Sequence, residues 1–176
     1  PYLYPPVLAE VWRPFTRLGP DISHQVVVLL STLLAALNAI LLWKLFPKPR
    51  RAGAWLISFV LLHAVCGPLV SSLRLGQINV LIGTCIFGAL LLEKQDRPWR
   101  AGLLLAVAIV IKVMAIILLV DLVARRRGKT LLAVALGGCA LTLGSIAIFG
   151  PTPWVEFLSF ARKPLPMWTP LSLRHI

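Results

Sequence analysis

Acidic residues are scarce in this chain. Six Asp and Glu stand against 18 Lys and Arg, and charged residues of either sign fill only 14% of its 176 positions. Soluble domains carry about 25% charged residues, so a soluble globular domain is excluded. Cysteine is scarce too: Cys66, Cys85 and Cys139 all lie inside apolar runs, without metal-ligand or redox spacing. They read as small packing residues, and neither a metal nor another cofactor is expected. The chain has no initiating Met, no visible signal peptide, no tandem repeat and no low-complexity linker. It runs from Pro1 to Ile176 without a clear terminus, so a fragment of a longer protein is expected.

What is present is apolar. Hydrophobic residues make up 59% of the chain, and the mean hydropathy is +0.87. The net charge of +12 raises the question of nucleic acid. The cations, however, sit between apolar runs, where the positive-inside rule puts them. An all-α, multi-pass membrane protein without a nucleic-acid partner is the reading that fits.

Along the chain, residues 1–22 are broken by Pro1, Pro5, Pro6, Pro14 and Pro20, too often for a span. Glu10, Arg13 and Arg17 share one helix face at spacings of three and four, which predicts a short amphipathic helix at the interface. Transmembrane helices are predicted over residues 24–149. A first span covers 24–46, with Ser31, Thr32 and Asn38 as polar residues, and Trp43 and Lys44 mark its end. A second covers 54–70 and carries His63 at mid-membrane, read either as a satisfied packing histidine or as a proton-transfer group. Residues 77–92 return as a short span, and 130–149 form the last. On that last span Gly138 with Thr142, and Ala140 with Gly144, sit four apart and predict a close-packing face. Residues 150–176 are expected outside the membrane on the extracytoplasmic side, with a second interfacial piece from Trp154 to Phe160.

Residues 101–123 decide the topology. The segments 44–51, 93–100 and 125–129 hold 11 of the 18 Lys and Arg. All three are expected on the cytoplasmic side. A single span over 101–120 would separate them. A re-entrant hairpin, rising from Ala101 to Ile111, turning near Lys112 and descending from Ala115 to Val123, keeps them together. One ordinary span with Lys112 facing a partner helix is the alternative. On a lipid-facing span Lys112 would cost about 3 kcal/mol; at a buried turn it can hold an anion.

The stretch Leu75-Gly76-Gln77-Ile78-Asn79-Val80-Leu81 puts two carboxamides at the mouth of the short span. Such amides face protein, water or a ligand when they are not simply helix-start polar groups. They read hydroxyls without adding charge. Gln77 and Asn79 are the leading substrate-site candidates, followed by Tyr4, Arg74 and Lys112. Gly76 permits an unwound entry that would let both amides face one cavity, opening on the side of Tyr4 and the Trp154 segment.

Tyr4-Pro5-Pro6 before an apolar helix, then Gly76-Gln77-x-Asn79-x-Leu81, Arg97-Pro98-x-x-Ala101-Gly102-Leu103, an in-membrane Lys112 and Arg125-Arg126-Arg127 occur here in order. Together they resemble glycosyltransferase family 87 of the GT-C superfamily of polytopic membrane enzymes. One departure is Val113-Met114-Ala115, where that family often has a proline. The resemblance implies a GT-C-like helical bundle with short or re-entrant helices in the cytoplasmic membrane of a bacterium. It implies transfer of a sugar, mannose above all, from a polyprenyl-phosphate donor to a hydroxyl of a lipid or glycan acceptor. It also implies a catalytic carboxylate in a loop upstream of this chain, so no catalytic residue is assigned. A membrane transporter or a non-catalytic scaffold subunit for lipid-linked sugars is the competing expectation, because broken helices with buried polar groups serve transport equally well.

Overall fold

The computed structural model describes residues 19–46 and 78–162, with Arg13, Arg17 and Gly53 as isolated positions. The expected interfacial helix before residue 19, the second span with His63 and the tail beyond residue 162 lie outside the described residues. Among those described there are six α-helices, one short 3-10 segment and no strand.

Helix α1 runs Pro20–Leu45. Its start is set by Pro at the first turn, by Asp21 near the positive end of the helix dipole and by Ser23 Oγ donating to the Gly19 carbonyl at 2.7 Å. The helix therefore begins before residue 24, the start expected from hydropathy, and takes in Asp21 and Ile22. Helix α2 spans Asn79–Lys94 and α3 spans Pro98–Ile111. A 3-10 segment, Val113–Ile117, leads into α4, Leu118–Ala124. Helix α5 is Gly128–Phe149 and α6 is Thr152–Arg162.

Helices α1 and α5 are long and apolar enough to cross a membrane, with mean hydropathies of 2.4 and 2.2 over their spans. Only 11% and 22% of those apolar windows are buried within the protein. Ile22, Leu29, Leu33 and Ile40 on α1, and Leu132, Leu136, Leu143 and Ile148 on α5, point outward. A soluble fold would bury these side chains, whereas a lipid-facing one exposes them. The chain is an all-α membrane protein.

The packing register follows from the contacts. Helix α2 runs antiparallel to α3: Ile78 and Ile82 join Ala108, Ile111 and Ala115 in one apolar cluster, while Ala89 joins Ala101 and Leu105 in another. Helix α5 runs parallel to α3. A methyl group on Gly102 would meet the Thr130 carbonyl at 2.6 Å and collide with Ala133 Cβ, and one on Gly137 would meet Leu103 and Ala106. The close-packing face of α5 is thus Thr130, Ala133, Val134 and Gly137. Among the described residues nothing packs against Gly138 or Gly144, the expected close-packing face. Cys85 packs in the core as expected, but Cys139 is exposed.

The chain reverses at Lys112. As one straight helix, residues 98–124 would separate their ends by about 40 Å. Instead both ends lie beside Glu93. The Arg97 amide donates to the Leu92 carbonyl, and Arg127 Nε lies 3.4 Å from Glu93 Oε2. A hairpin is therefore the observed arrangement, and a single straight helix over 101–120 is not. The ends of α1, α2 and α4 and the starts of α3 and α5 gather at one basic end, where Lys94 Nζ also donates to the Leu45 carbonyl at 3.1 Å.

Candidate functional site

The opposite end of the hairpin brings two of the nominated residues together. Lys112 is the one extended residue between α3 and the 3-10 segment (φ −144°, ψ 106°). Its amide still closes the last turn of α3 on Ala108, and its carbonyl accepts from the Ala115 amide. The reversal thus leaves the Lys112 backbone paired, as membrane depth requires. Its side chain crosses to α2, where Nζ donates to Asn79 Oδ1 at 2.8 Å, half-buried. Among the described residues the ion pairs are Arg125 with Asp121 and Arg127 with Glu93, both at the basic end, and no carboxylate pairs with Lys112.

Asn79 is the first residue of α2. That helix has neither a side-chain cap nor an acidic residue in its first turn. The positive end of its dipole therefore sits beside the Lys112 ammonium, a pairing that repels a second cation and attracts an anion. Asn79 opens a regular helix; the unwound entry expected at Gly76 and Gln77 falls outside the described residues. Gln77, Tyr4 and Arg74 are outside them as well.

Asn38 supports this region from α1. In the sequence it was no more than a polar residue within a span. In the fold it is buried, and its Nδ2 donates at 3.0 Å to the carbonyl of Val80, the residue after Asn79. Gly83 makes the approach possible, since a Cβ there would stand 3.2 Å from Asn38 Nδ2. Asn38 Oδ1 is buried without a hydrogen-bond partner among the described residues. The cost of a carboxamide in the middle of a span was the available signal. Trp154 closes the same end: its indole N–H donates to the buried Ser145 at 3.1 Å, and its ring meets Phe157 edge-on. The α3–α5 register places Lys112 close to the level of Ser145, so the Trp154 segment shares the end that holds Asn79 and Lys112. The carboxylates of Asp21 and Glu156 are exposed on α1 and α6.

Comparison with known proteins gives two results. The glycosyltransferase family 87 profile matches residues 2–175. The polyprenol-phosphate-mannose-dependent alpha-(1-2)-phosphatidylinositol mannoside mannosyltransferase of Mycobacterium tuberculosis is 32% identical over 159 residues, covering 83% of this chain and 37% of that protein. The protein of the same name from Mycolicibacterium smegmatis is 29% identical over 160 residues, covering 84% of this chain and 36% of its own length. The chain thus spans little more than a third of these relatives. No solved structure matches it.

Proposed function

Because the chain belongs to glycosyltransferase family 87, we propose that it forms part of the donor site of a membrane mannosyltransferase. The donor is a polyprenyl-phosphate mannose, the donor class in its relatives' names. The acceptor is a hydroxyl on a glycolipid or cell-envelope glycan, at the extracytoplasmic face of a bacterial plasma membrane. The observation that carries this reading is the Lys112–Asn79 contact at the uncapped start of α2.

In the transfer, an acceptor hydroxyl gives its proton to a general base, its oxygen attacks the anomeric carbon, and the bond from that carbon to the phosphate oxygen breaks. Negative charge gathers on the departing polyprenyl phosphate. A cation and a helix N-terminus already aimed at that position stabilise it without reorganising. Asn79 holds the Lys112 ammonium in place through its carbonyl. Gln77, Arg74 and Tyr4 remain donor-site candidates on their sequence alone. The exposed apolar residues Met114 and Ile117 at the hairpin tip suit the prenyl chain. Family membership favours transfer over transport.

The test is Asn79→Ala in the full-length protein. Transfer from polyprenyl-phosphate mannose should fall while membrane insertion and expression stay normal. An inserted variant that transfers at the wild-type rate returns Asn79 to the role of a helix-start polar group.

A further inference from the structure

A second cleft lies at the other end of the bundle. It measures about 450 Å³ and opens between the ends of α1, α2 and α4. Leu42, Phe87 and Leu90 form its deeper wall, one to two turns inside the helix ends, with Phe46 exposed beside them. Its mouth carries Lys94, Arg125 and Arg127 against Glu93 and Asp121. These charges are not equally satisfied. Glu93 is engaged by Arg127 and Thr130, and Asp121 by Arg125. Lys94 reaches only the neutral Leu45 carbonyl. Arg127 also lines a neighbouring cavity of about 380 Å³, where Arg126 and Lys129 face a single acid, Asp96. The excess charge across the two cavities is positive.

A cleft that is apolar toward the helix interiors and cationic at its mouth matches an amphiphile with an anionic head. A soluble anion leaves the Leu42–Phe87–Leu90 wall unexplained, and an uncharged lipid leaves the cations unexplained. We propose that this cleft binds an acidic glycerophospholipid from the leaflet on the basic side. One acyl chain lies against Leu42, Phe87 and Leu90, and the phosphate sits between Lys94 and Arg125. The site is separate from the Asn79–Lys112 pair, which lies at the far end of α2 and α3.

The experiment uses the full-length protein in nanodiscs of phosphatidylcholine with or without phosphatidylglycerol, and counts lipid retained after extraction by native mass spectrometry. Phosphatidylglycerol should be retained in preference to phosphatidylcholine. The double variant Lys94→Gln, Arg125→Gln leaves the Glu93–Arg127 pair intact and should weaken retention on the order of tenfold. Leu90→Trp fills the apolar wall at a partly exposed position and should weaken it as well. Equal retention of the two lipids overturns the proposal, as does wild-type retention in the charge variant. Loss in the charge variant with full retention in Leu90→Trp also overturns it, because the headgroup would then be held at the surface without the cleft.

Discussion

The two ends of this bundle handle charge in opposite ways. At the basic end cations are many and two of them are met by carboxylates: Glu93 links α2 to Arg127 and to the buried Thr130 on α5, and Asp121 holds Arg125. At the other end Lys112 is met by an amide. A carboxylate neutralises a cation, whereas an amide orients it and leaves its charge in place. The first arrangement satisfies Glu93 and Asp121 within the fold, and the second leaves the Lys112 charge unneutralised. The turns show the same division. Asp96 and Arg126 both sit at φ 55°, and each precedes an arginine whose amide bonds five residues back, Arg97 to Leu92 and Arg127 to Leu122. These paired Schellman turns close α2 and α4 tightly. The opposite end turns on the extended Lys112 and a 3-10 segment.

Substitutions at the two ends should separate chemistry from stability. The largest effect is expected at Lys112. Lys112→Met should lower transfer by about 100-fold or more, the scale of losing one preorganised stabilising group, with little change in thermal midpoint. An assay showing wild-type turnover in a folded Lys112→Met protein would erase the contrast between the ends. Next comes Glu93→Gln, which keeps the shape but removes the charge that faces Arg127. Glu93 is largely buried while Arg127 is half-exposed, so the cost should be about 1–2 kcal/mol. It should be read as a lower thermal midpoint with the donor affinity per folded molecule retained. The smallest is Arg126→Gly. A left-handed arginine is strained by about 1 kcal/mol, part of which the greater unfolded-state entropy of glycine offsets. A small rise in midpoint is expected, and a fall would mean that the Arg126 side chain contributes more than its backbone costs.

The sequence made much of this legible, for identifiable reasons. Hydrophobic runs bounded by cations marked α1, α2 and α5 within a few residues. The hairpin was reached through charge parity, because 11 of 18 Lys and Arg lie in three short segments that a single span would have split. Lys112 and Asn79 were nominated separately, each for its cost in a membrane. Their contact was not legible, because it depends on the antiparallel register of α2 and α3, which is set by side-chain volumes at Ile82, Cys85, Ala108 and Ile111. The Glu93–Thr130–Arg127 link was missed for a related reason. Glu93 reads as an ordinary interfacial acid until α5 is known to start beside it. Asn38 was passed over because one amide in a long span gives no direction, and only the Val80 carbonyl opposite it shows which way it faces.

The reversal at Lys112 also bears on how the protein is made. A helix that crosses the bilayer must have one of its flanks carried through. Both flanks of the α3–α4 hairpin lie at one end of the bundle, so Arg97 and the Arg125–Arg127 run need no passage past its tip. Its one deep charge rises about 21 Å on the 14 residues of α3. Only glycine fits at position 102, against Thr130 and Ala133, which leave the ribosome later. The final contacts of the hairpin with α5 therefore wait until α5 has been made.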